Sequence, residues 1–410
     1  MGNQLQYQNR SIYIFLFFVL LNFTCQNLIN NGLKFITYDV TKSMELVSIL
    51  GSVSAFFYIT IGLFSGIVVD FFKKTKFVNV EIVVNSATSI ILIILLESNL
   101  INIYSIIFFI LAKELITVFS SPAKNTIFYE LIDNKSTLKW ISRRSIIVTA
   151  TPILSSLILS FCVDDVKYIL ILYLLLNVLS IFVFNLCNYK DAGKKNDDKL
   201  VYSIRKKFRD FIYFLGENKI VYYLFVYSFF KTFFIFWPMS SGALFKFGIG
   251  NTESQKLFLY TSILLGIVSI ISTYFVGMKY KHFTIGFFIF GVFLSGIGII
   301  LLGFSTSNYF SIASLCILYI GLVFSQLSNA FILKHHLPSE FMSHGLSISV
   351  IPYYLADIFS GVFFALLIKY VSVNNLLLFC GLSLVILSVH FIFNKSLDLF
   401  HKSKNDHPFA

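Results

Sequence analysis

The stretch Gly62-Leu63-Phe64-Ser65-Gly66-Ile67-Val68-Val69-Asp70-Phe71-Phe72-Lys73-Lys74-Thr75-Lys76 decides the fold. It closes a long apolar run with small residues at Gly62, Ser65 and Gly66. One carboxylate, Asp70, then stands just ahead of Lys73, Lys74 and Lys76. In lipid, small residues a helical turn apart let two helices approach closely, and lysines directly after an apolar run mark a cytoplasmic turn. The stretch reads as the tight inside turn of a transmembrane hairpin.

The rest of the chain has the same character. Its 410 residues are 57% hydrophobic and 13% charged, with a mean hydropathy of +0.81. These values exclude an ordinary soluble enzyme and indicate an all-α integral membrane protein. A helix needs about 20 apolar residues to cross the hydrocarbon, and roughly twelve such runs can be drawn. They are Ser11 to Ile36, Leu46 to Phe72, Val78 to Leu96, Ile101 to Pro122, Ile141 to Val163, Tyr168 to Cys187, Ile220 to Phe245, Leu257 to Met278, Phe283 to Phe304, Phe310 to Leu333, Leu346 to Tyr370 and Leu376 to Phe393. The first continues through Asn22 and Gln26 without a small-x-small cleavage site, so it reads as an uncleaved span rather than a signal peptide.

The formal charge of +12 would suggest a nucleic-acid partner in a soluble chain. Here the basic residues fall in alternate loops, at Lys73 to Lys76, Lys135 to Arg144, Lys279 to Lys281, Lys334 and Lys395 to Lys404. That bias places both termini in the cytoplasm, with membrane lipid rather than nucleic acid as the partner. The one long polar segment, 188–219, carries eight basic residues from Lys190 to Arg209. It reads as a cytoplasmic linker against anionic headgroups, between bundles of about six spans each at 1–187 and 220–410. A weak repeat fits two halves: Arg144 to Pro152 leads into the fifth span as His344 to Pro352 leads into the eleventh. The five cysteines show no short-spaced pair and no accompanying histidine, so neither metal nor cofactor is expected.

A charge at the bilayer centre costs about 2.5–3.5 kcal/mol and needs a partner or a purpose. Lys113 and Glu114 in the fourth span, Lys231 in the seventh and Asp357 in the eleventh stand in this position. Lys113 and Glu114 are about 100° apart on a helix. On this reading one faces a cavity and Glu114 meets a neighbouring helix. Lys113, Thr117, Ser121 and Lys124 form a polar stripe suited to a water-filled path. Asn22, Gln26 and Asn30 share one face of the first span, as do Gln326 and Asn329 in the tenth. Asp357, a turn beyond Tyr353 and Tyr354, could take up and release a proton, whereas pairing with Lys231 would keep it ionised. Both readings stand.

Across nearly its whole length the chain resembles major facilitator superfamily transporters, nearest the subgroup of drug:proton antiporters and the enterobactin exporter. Gly66 and Asp70 match that family's inside-loop motif and Lys74 a basic position in it, while Phe71 stands where arginine is usual and Lys73 where glycine is usual. Lys113 falls where proton-coupled members carry arginine. Thr151-Pro152-Ile153-Leu154-Ser155-Ser156 resembles the fifth-span antiporter motif with hydroxyl residues replacing glycine. The resemblance implies a major facilitator fold of twelve helices in two bundles, whose first, fourth, seventh and tenth spans line a central cavity. It further implies a monomer in a bacterial inner membrane that exports a small amphipathic molecule against protons by alternating access. Asn22, Gln26, Asn30, Lys113, Lys231, Gln326 and Asn329 would bind the substrate, Asp357 or Glu114 would couple protons, and Gly66, Asp70, Lys74 and Pro152 would serve the gate.

Two rivals remain. A lipid-linked oligosaccharide flippase would have similar length and span number, but would not be expected to carry the Asp70 hairpin or the basic linker. A polytopic membrane enzyme would need a clustered acid/base constellation. Asp164-Asp165 and His335-His336 are the only candidates for it, and an exposed acidic turn and an inside basic loop explain them better. The chain therefore reads as a transporter and not an enzyme. Its residues do not choose among a drug, a siderophore, a peptide natural product and a sugar as cargo.

Overall fold

The computed structural model describes residues 2–62, 65, 68–69, 72–132, 137–162, 164–187, 189, 209, 213–214, 216–248, 252–279, 285–336 and 351–393. Within them the chain is helical: α1 Gly2–Thr41, α2 Met44–Thr60, α3 Lys74–Glu97, α4 Ile103–Leu131, α5 Thr137–Cys162, α6 Val166–Leu186, α7 Lys219–Trp237, α8 Thr252–Lys279, α9 Ile285–Phe304, α10 Asn308–His336, α11 Ile351–Leu367 and α12 Val373–Phe393. Among the described residues nine helices are long and apolar enough to cross a membrane, and Met44–Thr60, Ile146–Cys162 and Ile351–Leu367 are shorter apolar helices. Each corresponds to one of the runs drawn from the sequence. Gly66, Asp70, Phe71 and most of the linker at 188–219 lie outside the described residues.

Local chemistry sets the helix starts. Asn102 and Ser105 form a reciprocal capping box at the head of α4, and Asp165 and Asn218 cap α6 and α7. The fourth helix runs on past Pro122 to Leu131, beyond the end read from the sequence. After Trp237, Pro238 brings no N–H to the ladder, and α7 continues as a π turn, Pro238–Gly242, and a last α turn, Ala243–Phe247.

The chain divides into two compact units. One comprises Met1–Asn196 with Phe247–Ile267. There α1 packs on α5 and α6, and α3 packs on α4 and α6. One end of this unit is a dense apolar core of Phe15, Phe18, Ile82, Phe128, Trp140 and Phe184, with the Phe18 and Phe184 rings 4.9 Å apart. The start of α8 joins it through Lys256 on Asp164 at 2.7 Å.

The other unit comprises Asp197–Lys246 with Val268–Ala410. In it α9 lies against α10 and α12, and α7 against α11. Backbone meets backbone where α9 passes α10: a Cβ added at Gly291 would stand 2.5 Å from Ser325 N and 2.6 Å from Gly321 O. This is the close approach that small residues permit in lipid. Gly62, expected from the sequence to play that part in the opening hairpin, does not: the nearest atom to an added Cβ there is 3.8 Å away, ordinary contact.

Candidate functional site

In the first unit the polar ladder of α1 meets charged side chains from α3 and α4, rung by rung. Lys124 Nζ donates to Asn22 Oδ1 at 2.9 Å, Gln26 Nε2 donates to Glu81 Oε1 at 2.8 Å, and Lys113 Nζ donates to Asn30 Oδ1 at 2.6 Å. The first two rungs are joined because Lys124 also holds both Glu81 oxygens, at 3.1 and 2.9 Å, while Lys113 and Asn30 form a separate group with Glu114. Glu81 and Lys124 are fully buried, at 0% and 3% exposure. Asn22 to Asn30 spans about 12 Å of helix at about 1.5 Å per residue, so the two groups together cover less than half of a hydrocarbon core about 30 Å thick.

Two sequence expectations change here. Glu114 does not turn away from Lys113 to a neighbouring helix: its Oε1 lies 2.6 Å from Lys113 Nζ, with both side chains buried. The 100° separation of the backbones is overcome by the lysine's four-carbon stem, which curls back over its neighbour. The stripe Lys113, Thr117, Ser121, Lys124 is likewise not an open water path. Lys113, Thr117 and Lys124 are buried, the two lysines held by α1 and, for Lys124, α3, and Ser121 is half-buried.

The sequence reading missed Glu81 altogether, and it placed Lys124 in a stripe without a counter-charge. The available signal was a single carboxylate in the apolar run Val78 to Leu96. Such a residue is too costly to leave without a partner.

Where the start of α3 meets the end of α4, buried Lys74 forms an ion pair with the half-exposed Glu130 at 3.2 Å. The hydroxyl of Tyr189 donates to the second Glu130 oxygen. Of the other gate candidates, Pro152 is exposed within α5, while Gly66 and Asp70 are outside the described residues. Thr151, Ser155 and Ser156, around Pro152, are buried, and Asn27 of α1 donates to Thr151 Oγ1 at 3.0 Å.

The second unit holds its mid-span charge differently. Lys231 of α7 is 2% exposed, and its ammonium lies 5.5 Å from the ring centre of Phe288 and 5.6 Å from that of Tyr353. Among the described residues no carboxylate pairs with it, so the expected alternative of a Lys231–Asp357 ion pair is absent from this structure. Asp357, half-buried on α11, engages other neighbours. Asn329 is buried and donates from Nδ2 to the Tyr353 hydroxyl, whereas Gln326 is exposed. Gln326 and Asn329 stand about 60° apart on one side of α10, with Asn329 packed inward and Gln326 at the exposed edge.

A family model described as the Major Facilitator Superfamily matches residues 15–361. No curated protein matches the sequence. Among solved structures, the nucleoside transporter NupG is similar at a TM-score of 0.76 and 11% identity, over 93% of this chain and 98% of its own. A D-xylose-proton symporter is similar at 0.74 and 13%, over 93% and 96%. A POT family transporter in complex with 5-aminolevulinic acid is similar at 0.70 and 15%, over 93% and 95%. At these identities the likeness speaks for the fold.

Proposed function

Because the chain belongs to the Major Facilitator Superfamily and is thus a multi-pass membrane transporter, we propose that it is a proton-coupled exporter of a small amphipathic molecule, working by alternating access. The observation that carries the reading is the buried polar ladder joining α1, α3 and α4. Lys113 there bonds both Glu114 and Asn30 at 2.6 Å. A proton taken up by Glu114 removes the counter-charge of Lys113 and so alters the hold of α4 on α1. Protonation is thereby linked to helix contact, as coupled transport requires.

On this proposal Asn22, Gln26, Asn30, Lys113, Lys231, Gln326 and Asn329 serve substrate binding, and Glu114 or Asp357 carries the proton. Gly66, Asp70, Lys74 and Pro152 serve the cytoplasmic gate. Support for Lys74 comes from its ion pair with Glu130, which ties the ends of α3 and α4. The direction of transport rests on the fifth-span stretch Thr151 to Ser156. The proposed setting is a bacterial inner membrane, with a monomer whose termini are both cytoplasmic.

The test is flux driven by a pH gradient in proteoliposomes, run with a panel of amphipathic metabolites and dyes. Accumulation of at least one compound against its gradient, collapsing when the proton gradient is dissipated, is expected. Of Glu114→Gln and Asp357→Asn, the one that removes the proton carrier should reach the membrane normally and lose uphill transport. Gradient-independent flux would remove the proton from the mechanism.

A further inference from the structure

Buried charge is balanced within the first unit and unbalanced at Lys231. Glu81 pairs with Lys124, and Glu114 with Lys113. Lys231, equally buried, has two ring faces and no carboxylate among the described residues. Ring faces attract an ammonium, by about 2 kcal/mol when water is excluded. They offer no oxygen to its three N–H groups.

A second unsatisfied group adjoins it. Tyr353 lies under the Lys231 ammonium and also accepts from Asn329 Nδ2, so one ring links the two side chains. Asn329 Oδ1 is buried without a hydrogen-bond partner. Among the described residues, a strong donor without an oxygen partner and an acceptor without a donor thus meet at Tyr353 beside the apolar ring of Phe288. Buried polar groups are normally satisfied, so an unpaired acceptor beside an uncompensated cation calls for a water, an ion or a ligand group to complete it.

We propose that Lys231 receives a carboxylate of the transported molecule and Asn329 Oδ1 a neighbouring hydroxyl or amine proton, so that the cargo is an organic acid with an apolar body. The inference rests on the transport reading above and narrows its substrate class. A neutral sugar or nucleoside fails it because neither supplies the negative charge that Lys231 lacks.

The test uses the purified full-length chain in detergent, titrated with 3-phenyllactate and with its uncharged amide while the melting temperature is followed. The acid should raise the melting temperature saturably, and the amide should not. In Lys231→Gln the half-saturating concentration should rise about thirtyfold or more, the loss typical of an unpartnered charged contact. Lys246→Gln, which alters a cation outside the proposed site, should match the wild type. Equal responses to acid and amide, no response to the acid, or an unchanged titration in Lys231→Gln would each overturn the inference. The acid–amide comparison needs no variant, so misfolding of Lys231→Gln could not shelter it. Proteoliposome flux of the same acid separates the two claims. Binding without flux would sustain the carboxylate site and count against the transport reading, whereas flux untouched by Lys231→Gln would do the reverse.

Discussion

Replacing Glu81 by Gln keeps the shape of the side chain and removes its charge at the centre of the first unit. Lys124, 3% exposed, would then hold an ammonium with only amide oxygens around it. Breaking a buried pair from one side costs about 3–5 kcal/mol, because the remaining charge stays buried and uncompensated. At about 2–4 °C per kcal/mol for a unit of this size, the melting temperature in detergent should fall by about 6–20 °C. The companion variant Glu81→Met with Lys124→Met removes both charges and should recover most of that loss, since an apolar pair of similar volume can replace a buried ion pair at little cost. Thermal unfolding followed by tryptophan fluorescence or by aggregation would measure both. A fall below about 2 °C in Glu81→Gln, or a double variant as unstable as the single one, would refute the view that Glu81 and Lys124 compensate each other.

Glu114→Gln should leave downhill flux in place while abolishing accumulation against a gradient, if Glu114 carries the coupling proton; retained uphill accumulation would shift that role to Asp357. Glu130→Gln removes the partner of Lys74 at a half-exposed position. Stability should therefore change by less than about 1 kcal/mol, while the rate of substrate counterflow changes measurably; an unaltered rate would exclude the Lys74–Glu130 pair from gating. Gly291→Ala forces a methyl to within 2.5 Å of Ser325 N and should cost about 1–3 kcal/mol by overpacking. Gly62→Ala, with 3.8 Å of room, should be neutral in the same thermal assay.

The helices were legible because hydrocarbon thickness sets a minimum length, which nine of the described helices reach and α2, α5 and α11 approach. The ladder of α1 was legible for a similar reason: Asn22, Gln26 and Asn30 repeat at the helical period, and each finds a partner on the neighbouring helices. What the sequence could not supply was the identity of those partners. Glu81 is a single residue with no period, and its pairing with Lys124 joins positions 43 apart in the chain. Gln326 and Asn329 show a different limit: their spacing gives one side of α10, yet only Asn329 is buried, because spacing places side chains on a helix without saying where the neighbouring helix ends.

The opening hairpin makes the same point for small residues. Gly62 and Gly291 each stand in an apolar run, and only the second lies where another backbone passes at contact distance. Composition permits a close approach; the partner helix decides whether it happens. Charge obeys the same logic with larger consequences. Lys124 acquires its carboxylate when α3 and α4 assemble and Lys113 has one beside it on α4, whereas among the described residues Lys231 finds aromatic faces and no carboxylate. A cation that folding alone leaves uncompensated is one that a bound anion can stabilise, which makes Lys231 the mid-span charge in the described chain best suited to select the cargo.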